Sequence, residues 1–84
     1  MKDLKLGMQM GYWGAGPDPR MIPVAQEAER LGYDAIFTAE AWGSDVFTPL
    51  SWIGAHTDRI RLGTAVAQLS ARTPTATAMA ALTL

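Results

Sequence analysis

Residues 59–84 read RIRLGTAVAQLSARTPTATAMAALTL, and this stretch decides the fold of the chain. It begins with a short apolar run, residues 60–67, of the length and composition typical of a strand buried in a sheet. Thr73 and Pro74 then form a helix start signal, in which threonine caps the first turn and proline occupies the first helical position. The alanine-rich residues 76–84 suit a helix packed closely on a sheet. The stretch therefore predicts one strand-loop-helix unit.

The same unit occurs twice more before this stretch. Short apolar runs predict strands over residues 4–13 and 33–40. The helix between them is expected to begin near residue 21 and to end at Gly32, where a left-handed backbone favours glycine. Its single apolar stripe, at helical spacing, consists of Met21, Val24, Ala25, Ala28 and Leu31.

A second helix is predicted to begin at Thr48 and Pro49, which give the same start signal, and to end near Thr57. The predicted order is therefore β-α-β-α-β-α, with strand starts about 27 to 29 residues apart. Such alternation implies parallel strands covered by helices. Eight units of this size make a chain of about 220 to 240 residues, close to the ~250 residues typical of a (β/α)₈ or TIM barrel. The sequence thus predicts an α/β fold, in which residues 1–84 are the first three βα units of a single, truncated barrel domain.

Composition excludes several classes of function. The chain has no cysteine, which excludes disulfides and thiolate metal sites. Its single histidine, His56, is expected at the surface near a helix end and leaves a metal site unsupported. The formal net charge is -1 with scattered basic residues, so no nucleic-acid partner is expected. No apolar run is long enough to span a membrane and no signal peptide is evident, so the expected location is the cytoplasm.

The loops after the strands are where function is expected, because barrel enzymes place their sites at the carboxyl ends of the strands. The first loop, residues 11–19, lacks the third glycine of a dinucleotide-binding fingerprint and the Gly-Lys-Ser/Thr of a phosphate-binding loop. A flexible turn is the favoured interpretation. Its two aromatic residues, Tyr12 and Trp13, are candidates for the substrate pocket.

Glu40 ends the second strand, so its carboxylate is expected at the mouth of the barrel. Position alone leaves two interpretations open. Apolar walls could raise its pKa for work as an acid, a base or a cofactor hydrogen-bond partner, or it could cap a backbone or pair with an arginine. In the loop beyond it, Trp42 is a candidate pocket wall. Asp45 is expected to be a loop-turn or helix-entry residue, and Trp52 is expected to pack.

The third strand ends with the small residues Gly63, Thr64 and Ala65. Such a surface suits a flat ring lying close to the backbone. A tight bend from strand to loop would explain the same residues, and composition leaves both interpretations open.

Two stretches resemble the luciferase-like flavin and deazaflavin oxidoreductases. Residues 59–84, with an IRLGTAV-type strand and a proline-started helix, resemble the third βα unit of that family. Residues 29–42, ERLGYDAIFTAEAW, resemble the unit before it. The resemblance implies a (β/α)₈ barrel that binds coenzyme F420, or alternatively FMN, at its carboxyl-terminal rim.

The resemblance also implies roles for single residues. A non-proline cis peptide is common in the third strand of the family and would fall at Ala65-Val66. Many members carry a histidine after the acidic residue, and Ala41 stands there in this chain, which argues against proton transfer by that histidine. Glu40 is the candidate catalytic residue. The expected cofactor contacts are Glu40, Thr64, Ala65, Val66 and Gln68.

The function predicted from these features is hydride transfer between coenzyme F420 and a small organic substrate, in a parent enzyme of which this chain is a fragment. The alternatives are an FMN-dependent luciferase-like monooxygenase and a non-catalytic module that associates with itself through its open sheet edges. Family habit implies a homodimeric parent. Because most of the cofactor site would lie in later units, these 84 residues alone are expected to show no turnover.

Overall fold

A computed structural model describes residues 4–84 of the chain. Three strands alternate with three helices, as the sequence predicts. The elements are β1 (Gly7–Gly11), α1 (Met21–Arg30), β2 (Ala35–Ala39), α2 (Phe47–Gly54), β3 (Arg61–Val66), the 3-10 turn Leu69–Ala71 and α3 (Pro74–Thr83). No helix within residues 4–84 has the length and apolar character needed to cross a membrane.

The three strands form one sheet in the order β1-β2-β3, and both neighbouring pairs are parallel. This arrangement is a partial βα repeat of a TIM barrel, which confirms the predicted fold class. We call the edge at which the strands end the carboxyl edge; the loops that leave it are residues 12–20, 40–46 and 67–73. The opposite edge, where the strands begin, is the amino edge.

A bulge lies near the carboxyl end of β3. Thr38 pairs with Thr64 and Ala39 pairs with Val66, so Ala65 is an extra residue without a partner on β2. Bulges of this kind bend a strand locally. The peptide bonds within residues 4–84 are all trans, so the cis peptide expected at Ala65-Val66 is not found.

The core lies between the sheet and the first two helices. Ile36 and Thr38 of β2 point to this side and are fully buried, as alternation along a strand requires. Ile53 of α2 packs in the same cluster. The apolar stripe predicted for α1 is partly wrong. Fewer of its side chains face the sheet than predicted, and Val24 and Leu31 are exposed. The residues that α1 buries are Met21, Ala25 and Ala28.

The other face of the sheet, which bears Ala35, Phe37 and Ala39, is called the inner face below. Phe37 lies there between two glycines of the neighbouring strands. A methyl group added at Gly63 would lie 2.6 Å from Phe37 Cε1, and one added at Gly7 would lie 2.9 Å from Cε2. Both positions therefore need glycine to leave room for the ring.

The start of α2 differs from the prediction. The Asp45 carboxylate accepts hydrogen bonds from the backbone N–H groups of Phe47 and Thr48, each at 3.0 Å. Asp45 thus does the capping that was expected of Thr48, which confirms it as a helix-entry residue. The helix ends at Gly54, earlier than the predicted end near Thr57.

The start of α3 is as predicted, but its packing is not. Thr73 Oγ1 accepts a hydrogen bond from the backbone N–H of Ala76 at 3.1 Å, and proline follows the cap. None of the residues of α3 is buried, and the larger side chains Met79 and Leu82 are exposed. The close packing expected of the α3 alanines is therefore not made within residues 4–84. The prediction was wrong on this point because helix propensity and start signals do not determine what covers a helix.

Candidate functional site

Glu40 lies at the carboxyl edge between the loops that follow β2 and β3. Its backbone N–H donates to the carbonyl oxygen of Val66 at 2.9 Å, which extends the strand pairing by one residue. A shallow cleft of about 200 Å³ opens beside it, and both loops line the cleft, with Gly43 on one side and Gln68 and Arg72 on the other. The structure therefore brings together Glu40, Val66 and Gln68 of the predicted site.

Both oxygens of the Glu40 carboxylate accept hydrogen bonds. Oε1 accepts the backbone N–H of Gln68 at 2.6 Å and Nη1 of Arg72 at 3.0 Å. Oε2 accepts the backbone N–H of Val46 at 3.1 Å and Nη2 of Arg72. The side chains of Glu40 and Arg72 are 4% and 17% exposed, so water is largely kept from the pair. Glu40 thus fastens the end of β2 to both loops.

These partners also fix the charge of Glu40. Hydrogen bonds from the Arg72 guanidinium make the largest contribution to lowering the pKa of Glu40; burial opposes it, and the backbone N–H groups of Gln68 and Val46 lower it further, to about 2. Of the two interpretations left open, the one in which apolar walls raise the pKa of Glu40 is therefore wrong. The contacts are those of the other interpretation, a carboxylate that caps a backbone and pairs with an arginine.

Arg72 is the site residue that the sequence analysis did not identify. It is the only charged residue between positions 62 and 84, and that isolation was the available signal. Its guanidinium lies over the ring of Phe47, 5.1 Å from the ring centroid, in a cation–π contact. Hydrogen bonding to Glu40 raises the pKa of Arg72 above its usual value. One guanidinium therefore joins the segment before α3 to the first residue of α2.

The loop between β2 and α2 is held by two side chains from the end of β2. Thr38 Oγ1 donates to the carbonyl oxygen of Val46 at 2.9 Å. The backbone N–H of Val46 donates to the Glu40 carboxylate. Thr38 lies on the helix side of the sheet. Because Glu40 shares its partner Val46, the Glu40 side chain lies on the helix side as well and not on the inner face.

The first loop is tied to the second by Trp13. Its backbone N–H donates to Ser44 Oγ at 3.0 Å, and its indole Nε1 donates to Met21 Sδ at 3.3 Å. Its ring meets the edge of Trp52 with centroids 5.7 Å apart. The structure therefore packs Trp13 against the core, and it confirms packing for Trp52. Tyr12 beside it is 57% exposed at the carboxyl edge.

Trp42 lies at the tip of a tight turn. Ala41 and Ser44 close the turn by two backbone hydrogen bonds of 3.0 and 3.2 Å, and Gly43 adopts the φ of +90° that the turn requires. The Trp42 side chain is fully exposed. It is thus displayed beyond the cleft and does not line it within residues 4–84.

His56 lies where the sequence predicts. It is exposed just beyond α2, and its Nδ1 is 2.9 Å from the carbonyl oxygen of Trp52. This position at a helix end, away from the carboxyl edge, confirms the expected helix-terminal role.

The end of β3 forms an exposed and uncharged surface. Thr64, Ala65 and Val66 are all exposed, Val66 by 52%. No side chain from position 62 to 71 carries a charge, and Arg72 is bound to Glu40. This exposed surface leaves room for a planar group close to the backbone. It offers no counterion for an anionic group.

The parallel βα repeat places the chain in the class of (β/α)₈-barrel proteins, of which it forms part. Residues 10–84 match the family described as luciferase-like monooxygenase, and the chain belongs to this family. It is also similar to a protein of Mycobacterium tuberculosis (strain ATCC 25618 / H37Rv) named "Putative coenzyme F420-dependent oxidoreductase", with 63% identity over 81 residues. The match covers 96% of this chain and 23% of the relative, so the chain spans less than a quarter of the relative's length.

Proposed function

We propose that the chain forms the first three βα units of a coenzyme F420-dependent oxidoreductase, which transfers a hydride between the deazaflavin and a small organic substrate. The observation that carries the proposal is the exposed, uncharged end of β3, residues 64–66, beside the buried Glu40. Membership of the luciferase-like family supports the reaction class, and the name of the mycobacterial relative supports the choice of cofactor.

Ala65 and Val66, at the bulged end of β3, would hold the ring of the cofactor. Thr64 pairs with Thr38, whose side chain lies on the helix side, so Thr64 would reach the ring only through its backbone. In a closed barrel the helices lie outside and the inner face lines the interior, so Val66, which pairs with Ala39, would face inward. The small side chain of Ala65 lets a planar group approach the backbone. Coenzyme F420, when bound, supplies the hydride chemistry, while the protein orients the ring and excludes water. The anionic tail of the cofactor needs partners outside these residues.

Glu40 is proposed to hold the backbone and not to move a proton. Its carboxylate is ionised at neutral pH, and hydrogen-bond donors occupy both of its oxygens. Gln68 is held by its backbone N–H, which leaves its exposed side chain available to the cofactor. The proton donor of the reaction is therefore to be sought outside Glu40.

The substrate is proposed to lie against Tyr12 and Trp42, since both aromatic side chains are exposed at the carboxyl edge. Trp13, next to Tyr12, holds this part of the first loop in place through its hydrogen bonds to Ser44 and Met21. A cytoplasmic location and a homodimeric parent are proposals that rest on the family resemblance alone.

An FMN-dependent monooxygenase is the second candidate. The observation that favours it is the description of the matched family, which names a monooxygenase. The uncharged surface at residues 64–66 would suit the ring of FMN as well. The two candidates differ in the oxidant, because the monooxygenase consumes oxygen.

The test uses a completed barrel, because the chain matches only 23% of its relative. We define the completed barrel as the product of the reading frame through and beyond residue 84. If the frame stops there, residues 1–84 are joined to the part of the mycobacterial relative that follows the matched stretch. Coenzyme F420 is expected to bind saturably, with a change in its absorption spectrum, and FMN to bind more weakly. Retention of neither contradicts the proposal, and substrate-dependent oxygen uptake with reduced FMN would favour the second candidate.

A further inference from the structure

Glu40 holds the residues on both sides of Ala67. Its backbone N–H donates to the carbonyl oxygen of Val66, and its carboxylate accepts the backbone N–H of Gln68 at 2.6 Å. The segment that follows the bulge is therefore attached to the end of β2 at two nearby points. The second point depends entirely on where the Glu40 carboxylate lies.

The Glu40 carboxylate keeps its place because of Arg72. Two backbone N–H groups alone would leave a shielded negative charge without a counterion. Asp45, which lines the same cleft, is a second carboxylate and supplies no counterion. Without Arg72 the carboxylate would turn towards water or take up a proton. Either change weakens the hydrogen bond that holds Gln68.

The contacts of Arg72 are those of a guanidinium and cannot be made by a lysine. Two of its nitrogens donate to the two oxygens of Glu40, while its flat face covers the ring of Phe47. An ammonium group is a single centre of charge without a flat face, so it cannot make both contacts together.

We propose that Arg72 is a positioning residue for the cofactor. It fixes the Glu40 carboxylate and, through it, the course of residues 66–68 along the surface that would receive the ring. This inference rests on the proposed function. It assigns to Arg72 an effect on cofactor affinity, although the arginine reaches the site only through Glu40.

The affinity of the completed barrel for coenzyme F420 tests the inference. Arg72→Ala should raise Kd by about tenfold, which corresponds to about 1.4 kcal/mol, and Arg72→Lys should raise it nearly as much. Arg61→Ala is the matched control, since Arg61 bonds both oxygens of Asp34 at the amino edge, and its Kd should change by less than about twofold. Added guanidinium, well below denaturing concentrations, should restore binding by Arg72→Ala, whereas ammonium should not.

The outcomes separate the inference from the proposed function. If the wild type binds coenzyme F420 and both Arg72 variants bind equally well, the inference is overturned and the proposed function stands. If the wild type does not bind, both are overturned. A merely structural ion pair predicts lower thermal stability with unchanged Kd and no recovery by guanidinium, which also overturns the inference. If neither variant folds, the double variant Glu40→Gln/Arg72→Met, which removes both charges, replaces them and must show the same loss.

Discussion

The two edges of the sheet carry the same kind of ion pair in different surroundings. At the amino edge, Arg61 Nη2 donates to both oxygens of Asp34 at 2.8 and 2.9 Å, and the two side chains are 66% and 33% exposed. At the carboxyl edge, the Arg72 and Glu40 side chains are 17% and 4% exposed. Water and salt screen the first pair, while the second is shielded and held in one geometry. Burial, and not the pairing itself, therefore distinguishes the candidate site.

Both edges also use a carboxylate to hold a loop. At the amino edge, Glu29 accepts the backbone N–H groups of Asp58, Arg59 and Ile60 at 2.7 to 3.2 Å, which ties α1 to the start of β3. At the carboxyl edge, Glu40 does the same for two loops and has an arginine in addition. The amino-edge contact fastens the fold, whereas the carboxyl-edge contact fastens the surface that we propose to bind a ligand.

The largest effect on stability is expected from a substitution inside the sheet, between its two edges. Gly63→Ala should lower the free energy of unfolding by about 2 to 3 kcal/mol, because its methyl group would overlap the Phe37 ring. Gly14→Ala is the matched control, since an added methyl group there meets nothing within 4 Å, and it should change stability by less than about 0.5 kcal/mol. Urea denaturation measures the free energy of unfolding of both variants. Equal losses in Gly63→Ala and Gly14→Ala would contradict the described packing of Phe37.

A smaller effect distinguishes the edges directly. Glu40→Gln should lower the free energy of unfolding by about 2 kcal/mol, less than for a deeply buried pair because only the two loops cover it. Asp34→Asn, at the exposed pair, should give no measurable change in the same urea experiment. Equal losses in the two variants would show that burial does not separate the edges.

The smallest effect is a pH dependence that belongs to Glu40. The pKa of its carboxyl is lowered from 4.5 to about 2 in the folded chain, so its contribution to stability is complete above 4.5 and is lost as the pH falls towards 2. The stability difference between the wild type and Glu40→Gln should therefore shrink over that range. Urea denaturation at a series of pH values checks this, and a constant difference would contradict the assigned ion pair.

Most of the fold could be predicted from the sequence because its signals are local. The adjacent residues Thr73 and Pro74 alone mark the start of α3. Gly32 has the positive φ, +87°, that its place after α1 requires. The start of α2 was misplaced because Asp45, a residue outside the recognised signal, provides the cap.

The chemistry of the site was harder to predict because it depends on contacts between distant residues. Glu40 could be placed at the end of a strand, but its partner Arg72 lies 32 positions away and reaches it only after the bulge at Ala65. The packing of Trp13 likewise depends on Met21 and Trp52, which come from other elements. Without these partners, sequence position alone could not decide the charge state of Glu40.

The most direct test of the central claim is to map where coenzyme F420 contacts the completed barrel, by following backbone amide chemical shifts during a titration. The account predicts that the shifts concentrate at the carboxyl edge, in residues 40–46 and 64–68, while the amides around Glu29 and Arg61 stay unchanged. Shifts centred on the amino edge, or none at saturating coenzyme F420, would contradict it.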